Sequence, residues 1–228
     1  MSERIVFITG ANGGLGTFVT ESFLQQGDQV IGASRHADST EFSSPNFRAI
    51  SVDFTNAPQV HEALAKVIAE FGRLDILVHI LGGFTGGQSI ASTDDTTWKR
   101  MQDLNLTSAF YVFREIIPHL RKSKNGRIVA VGSLAAKQPQ ANLGAYVTFK
   151  TALATLVRTV ALENADAGLT ANVILPGTMD TPANRQAMPD ADFSKWLSPK
   201  RVAELVLWLA HEKAAQITGT VIPIDGNQ

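Results

Sequence analysis

Cysteine is absent from all 228 residues. This removes disulfides, thiolate zinc sites, iron–sulfur clusters and a thiol nucleophile together, and it fits a reducing compartment, so a cytoplasmic location is expected. An excess of one charge is missing too: 20 Lys and Arg face 21 Asp and Glu, a net −1. That balance cannot hold a polyanion by counterion release, so nucleic acid is not an expected partner. No apolar run approaches the roughly 18 residues of a membrane span, and Ile5-Val6-Phe7-Ile8 falls short of the about 7 to 15 of a signal-peptide core. Neither export nor a membrane is expected. Histidines 36, 61, 119 and 211 fall at no ligand spacing, so no metal is expected. Tyrosine is scarce, with only two in the chain.

What is present is a globular composition, 44% hydrophobic and 18% charged. Short apolar runs of strand character, at 4–9, 29–33, 48–52, 74–80, 126–131, 170–175 and 220–224, alternate with stretches of helical periodicity at 14–26, 57–71, 95–122, 145–167 and 199–211. Asn56 and Ser198 stand where N-caps belong. Such alternation predicts an α/β fold: one doubly wound domain over 1–228, with a seven-stranded parallel sheet buried between helices on both faces. No repeat or charged linker suggests a second domain. Segments 82–94 and 176–198 are too long for plain connections, and both follow strand carboxyl ends, where ligands bind in such sheets.

The first strand runs into Thr9-Gly10-Ala11-Asn12-Gly13-Gly14-Leu15-Gly16 as a helix opens. Helix amides and the positive dipole end favour a pyrophosphate there, and missing side chains let it approach. Thr9, Gly10, Asn12, Gly13, Gly14, Leu15 and Gly16 are therefore candidate cofactor contacts, although Gly-rich turns after strands also occur without a ligand. The second strand is followed by Ser34-Arg35-His36, with no carboxylate to hold a ribose diol. Arg35 offers a planar fork to a ribose phosphate, which favours NADP(H) over NAD(H), unless it is a solvated loop residue. Asp53, after the third strand, is a candidate acceptor for an adenine amino group or simply starts a turn.

Tyr146-Val147-Thr148-Phe149-Lys150 places a phenol and an ammonium one helical turn apart. A neighbouring cation favours phenolate, which predicts a lowered Tyr146 pKa and a usable acid near neutral pH. Ser133 closes the fifth strand, where a hydroxyl can orient a carbonyl oxygen or cap a turn. Asn105 is a poor helix former inside a long helix, and a local kink or a bound water would explain it. Asp94 with Asp95, and Asp190 with Asp192, read as helix starts and surface loops before they read as catalytic pairs.

Thr9-Gly-x-x-x-Gly-x-Gly, Asn105, Gly132-Ser133, Tyr146-x-x-x-Lys150 and Pro176-Gly177 occur in the order and spacing of the short-chain dehydrogenase/reductase family, which the chain resembles over essentially its whole length. The resemblance implies a Rossmann-type fold and hydride transfer between a nicotinamide cofactor and a small-molecule substrate. It implies Tyr146 as proton donor, Lys150 on the nicotinamide ribose, Ser133 on the substrate oxygen and Asn105 fixing a relay water. It adds Gly82, Pro176, Gly177 and Thr178 to the cofactor contacts, with Thr178 on the carboxamide. It also implies a homo-oligomer, dimer or tetramer, paired through the helices around Asn105 and Tyr146, with Phe110, Phe113, Leu153, Leu156 and Val157 as candidate contacts. One departure stands out: the family's Asn-Asn-Ala-Gly reads His79-Ile80-Leu81-Gly82 here, so the usual bracing of the central strand is not expected.

Segment 176–198 carries Met179, Met188, Phe193 and Trp196 and reads as a lid over the nicotinamide end. It and Gly82-Gly83-Phe84-Thr85-Gly86-Gly87 are similar to the corresponding parts of dihydropteridine reductases, which makes quinonoid pterin reduction an alternative. Those reductases favour NADH, put an acidic residue where Arg35 stands and lack the full Asn-Ser-Tyr-Lys set. The leading expectation is an NADPH-dependent reductase of a small carbonyl compound. A non-catalytic NADP(H)-sensing regulator is a further alternative.

Overall fold

A computed structural model describes residues 4–226. Seven strands, β1 (Ile5–Thr9), β2 (Gln29–Ser34), β3 (Phe47–Ser51), β4 (Ile76–His79), β5 (Arg127–Val131), β6 (Thr170–Pro176) and β7 (Val221–Ile224), form one sheet. Every pairing is parallel, in the order β3-β2-β1-β4-β5-β6-β7. The chain winds outward from β1 to β3, then returns to place β4 on the other side of β1. The switch point therefore lies between β1 and β4, where ligands bind in doubly wound sheets.

Alternation along each strand divides the core into two layers. Ile5 and Phe7 of β1 pack with Leu77, Val112, Phe113 and Leu153, beneath α2 (Ala57–Phe71), α4 (Ser108–Leu120) and α5 (Gly144–Glu163). Val6 and Ile8 face the other way, onto Val19, Phe23, Val202 and Val206 of α1 (Gly16–Gln25) and α7 (Pro199–Leu209). Side chains of successive strand residues point to opposite faces, so a strand covered on both sides has to be apolar throughout. β1, β4, β5 and β6 are buried along their whole length. The edge strands β3 and β7 are not, which corrects the expectation of a wholly buried sheet: each lacks a neighbour on one side.

Helix limits agree with the sequence pattern for α2, where Asn56 accepts a hydrogen bond from Gln59 N at 3.2 Å and Gly72 ends the helix in the left-handed region. Ser198 stands at the cap of α7 without making a side-chain bond. The stretch at 95–122 is not one helix. It comprises α3 (Asp95–Gln102), a π-helical turn at Asp103–Thr107, and α4. The stretch at 145–167 likewise ends as a helix at Glu163, and a 3₁₀ turn follows. Inside 176–198 lies an unexpected helix, α6 (Pro182–Ala187), started by Pro182 and capped by Thr181. Asp94 caps α3 and Asp192 caps a 3₁₀ turn, so these carboxylates serve helix starts.

Three of the five candidate oligomer contacts are corrected. Phe113, Leu153 and Val157 belong to the protein's own core, because their helix faces turn to the sheet. Leu156 is half-buried against the same cluster, whereas Phe110 is 45% exposed.

Asp75 ties the sheet's amino-terminal edge together. It accepts from Ile5 N at 2.8 Å and from the Ser123 hydroxyl at 2.7 Å, and pairs with Arg73. Hydrogen bonds to a charged acceptor are worth about 1.5 to 3 kcal/mol each. Asp75→Ala is expected to lower stability by about 2 to 3 kcal/mol, read as a fall in the urea midpoint with an unchanged slope.

Candidate active site at the switch point

The glycines of the first turn are explained by close approaches. Gly10 has φ +73°, and its N–H donates to Ala33 O at 2.7 Å. A Cβ on Gly16 would run into the Gly10 carbonyl, and one on Gly14 would lie 2.9 Å from Thr181. Leu15 is buried beneath the turn, and Asn12 reaches the His36 carbonyl at 3.2 Å. No side chain caps α1, and within its first turn Thr17 N donates to Gly13 O at 3.1 Å, so the turn folds back on its own carbonyls and keeps side chains away from the helix N-terminus. A bare backbone cradle opening onto a helix N-terminus fits a pyrophosphate.

At the far side of this groove Arg35 is exposed at the end of β2. It lines a cavity of about 660 Å³ with Thr55, Arg100 and Leu104. The Asp53 carboxylate accepts from Thr55 N at 2.9 Å and from the Thr55 hydroxyl at 2.7 Å. These bonds hold its pKa below the usual carboxylate range, with a smaller pull from Arg35. Asp53 thus displays the turn-starting role. Another cavity, about 680 Å³, opens at the opposite edge of the sheet, among Arg4, Asp28, Arg73, His119 and Lys122. The C-termini of α1, α2, α4 and α7 converge there, and its basic side chains offset their dipoles. The catalytic candidates lie elsewhere.

At the carboxyl edge, α5 brings Tyr146 and Lys150 beside Ser133, which follows β5. Ser133 accepts from Ala135 N at 3.3 Å, so it caps a turn, and it lies near enough to the Tyr146 phenol to pull its pKa down. The turn-capping reading of Ser133 is the one the structure displays. Lys150 is 4% exposed, and its Nζ donates to Val131 O at 3.2 Å. A Cβ on Gly82 would lie 2.7 Å from that Nζ and 2.9 Å from Asn105 Oδ1, so only glycine fits between them. Asn105, fully buried in the π turn, donates to Gly83 O at 3.0 Å and Met101 O at 3.0 Å and accepts from Gly83 N at 3.1 Å. The π turn and the three bonds to Gly83 and Met101 supply the reason for an asparagine there. Pro176 is buried, Gly177 N donates to Ile224 O at 2.9 Å, and Thr178 is exposed with its carbonyl taken by Leu197 N.

The Tyr146 pKa is corrected in direction. Burial raises it, and hydrogen bonding with Ser133 only partly opposes this. Lys150 contributes no lowering; its own ammonium is disfavoured by burial, which brings its pKa down to about 8.

The central strand is braced after all, by a residue whose part was missed. Thr9 Oγ1 accepts from Ile80 N at 3.2 Å and Leu81 N at 3.3 Å, so its own hydrogen goes to His79 Nδ1 at 3.1 Å. His79 is therefore neutral with its proton on Nε2, fully buried and unpartnered, its ring 5.7 Å from Phe113. Desolvation first, then the Lys150 charge, push its pKa to about 3. Among the described residues, no group of three or more His, Asp or Glu is placed to hold a metal, and no helix is long and apolar enough to cross a membrane.

A doubly wound parallel sheet with a glycine cradle at its switch point, and a buried lysine beside a paired tyrosine and serine, defines a dinucleotide-dependent oxidoreductase. The chain belongs to the short chain dehydrogenase family, whose model matches residues 4–192, and it is an NAD(P)-dependent oxidoreductase. It is 26% identical to the 3-oxoacyl-(acyl-carrier-protein) reductase FabG of Escherichia coli, over 98% of this chain and 96% of that one. It is 30% identical to the 2,5-dichloro-2,5-cyclohexadiene-1,4-diol dehydrogenase LinX of Sphingobium indicum, over 99% and 96%. Its structure is similar to that of ElxO with NADP bound, with a TM-score of 0.91 and 28% identity over 98% of both chains.

His79 and Lys150 both have folded pKa values below their ordinary ones, so the unfolded chain binds more protons between each pair of values. Stability must then rise with pH across both windows, from about 3 to 6.5 for His79 and from about 8 to 10.5 for Lys150. Urea midpoints measured across pH are expected to fall less steeply on the acid side for His79→Asn than for wild type, and to lose the alkaline rise in Lys150→Met.

Proposed function

We propose that the protein reduces a small carbonyl compound with NADPH, using Tyr146, Lys150, Ser133 and Asn105. The observation that carries this reading is the gathering of Tyr146, Ser133 and the buried Lys150, whose Nζ reaches Val131 O, at the edge of the sheet where the glycine cradle opens. The bound dihydronicotinamide supplies the hydride. Tyr146 gives its proton to the carbonyl oxygen as negative charge develops, and Ser133 donates a hydrogen bond to the same oxygen. Burial keeps the phenol protonated at neutral pH, which suits the direction of reduction. Lys150 holds ribose hydroxyls beside Gly82 and, once its charge is engaged there, favours departure of the tyrosine proton. Asn105 locks the Gly83 backbone and thereby the floor of the site.

Thr9, Gly10, Asn12, Gly13, Gly14, Leu15 and Gly16 would cradle the pyrophosphate, Arg35 the ribose phosphate, Asp53 the adenine side, and Pro176, Gly177 and Thr178 the carboxamide. The preference for NADPH is supported by the exposed guanidinium of Arg35 at a strand end without a carboxylate, and by the NADP-bound ElxO structure. The whole chain is read as one catalytic domain with 176–198 as its lid, acting in the cytoplasm. A homo-oligomer, dimer or tetramer, paired through α4 and α5 is supported by Phe110, 45% exposed, and Leu162, 82% exposed. Quinonoid dihydropteridine reduction is the second reading, favoured by the glycine loop at 82–87; NADP(H) sensing without turnover is a third.

NADPH oxidation followed at 340 nm against a carbonyl panel and quinonoid pterin separates these readings. Tyr146→Phe is expected to cut turnover by at least about 100-fold while keeping cofactor affinity. Tight binding with no turnover in either protein would establish the sensor instead. Titration with both cofactors is expected to show that Arg35→Asp shifts preference toward NADH; an unchanged preference removes Arg35 from the phosphate site.

A further inference from the structure

Phe84 is 62% exposed, yet its position is fixed. Its ring lies edge-on to Tyr146, with centroids 5.0 Å apart and planes at 78°. The backbone that carries it is held on both sides. Asn105 bonds both the N–H and the carbonyl of Gly83, and Gly87 N donates to Asn142 O at 2.9 Å. Between these anchors a Cβ on Gly86 would run into Leu143 and lie 3.0 Å from Phe84 Cζ. Gly87 and Asn142 both take left-handed backbone, at φ +94° and +65°. The glycines therefore let this loop fold tightly enough to set an apolar ring against the phenol, with much of the ring left uncovered. No Asp, Glu, Lys or Arg occurs from Leu81 to Thr93, so this side of the site offers nothing to a charged group.

We infer that Phe84 is a specificity-determining residue: it forms one wall of the substrate site and selects carbonyl compounds that carry a flat, uncharged apolar group, such as a phenyl ring, next to the reacting carbon. This inference rests on Tyr146 being the proton donor, since the wall is defined by its contact with that phenol. A ring held edge-on to the Tyr146 ring keeps most of its surface uncovered, and on such a surface a second flat group packs in offset or edge-to-face fashion. A hydrophobic wall of this kind discriminates by about 10-fold to 200-fold.

The test compares 1-phenyl-1,2-propanedione with 2,3-butanedione, which differ by phenyl against methyl, with NADPH and wild type, Phe84→Ala and Phe84→Tyr. Wild type is expected to favour the phenyl compound in kcat/KM by at least about 10-fold. Phe84→Ala is expected to reduce that ratio by about 10-fold, mainly through KM, and Phe84→Tyr to retain it. Because Phe84 is exposed, its truncation opens no core cavity. A ratio unchanged in Phe84→Ala overturns the inference while leaving the reductase reading intact. If wild type reduces neither diketone, binding of 1-phenylethanol to NADP-saturated protein, read by ligand NMR line broadening, decides the matter: binding that weakens in Phe84→Ala supports the wall without the proposed reaction, and binding that is absent or insensitive to Phe84 overturns it.

Discussion

The hydroxyl of Thr9 is the contact on which the site depends. It stands at the end of β1, opposite His79 of β4, where the direction of winding reverses. One oxygen takes two backbone amides from the turn leaving β4 and gives its hydrogen to the imidazole. The two loops that flank the dinucleotide groove are thereby joined below their tips: a Cβ on Gly10 would lie 3.3 Å from Leu81 N. From Leu81 the chain passes to Gly82 under Lys150, then to Gly83 in the grip of Asn105, then to Phe84 against Tyr146. The glycine turn, the ammonium, the π turn and the Phe84 ring are successive links of one short path, so an error of position at its start would be passed to all of them.

Within this site burial outweighs neighbouring charge. The phenol rises, the ammonium falls and the imidazole falls furthest, each because a charged form is costly where water is excluded. At neutral pH the phenol and the imidazole are therefore uncharged, while Lys150, with a pKa of about 8, still carries its ammonium for the most part.

Much of this was legible in the sequence, for reasons that can be named. Four central strands are covered on both faces, so their apolar runs are unbroken and easily seen, and the glycine spacing after β1 follows from collisions that any side chain would cause. Tyr146 and Lys150 needed only the helical period. The parts that were not legible depend on tertiary context. No propensity announces a π turn at Asp103–Thr107, because what stabilises it is Asn105 bonding a loop 22 residues earlier in the chain. The sign of the Tyr146 shift depends on how deeply the phenol is covered, which spacing does not reveal. His79 looked like a lost brace because its partner, Thr9, is 70 residues away. Phe113, Leu153 and Val157 satisfy the pattern of a core face and of a subunit contact equally, and only the packed sheet distinguishes them.

The π turn also acts as a gearing between the two arms of the kinked helix. An α-helix advances about 100° per residue, and a π turn accommodates one residue more than the regular spiral. The buried stripe of α4 is consequently out of phase with that of α3. Met101 of α3 packs with Phe149 of α5, whereas Val112, Phe113 and Ile116 of α4 pack on the sheet. One surplus residue lets a single rod serve two different floors of the molecule; excising it would straighten the rod and leave one of them without its cover.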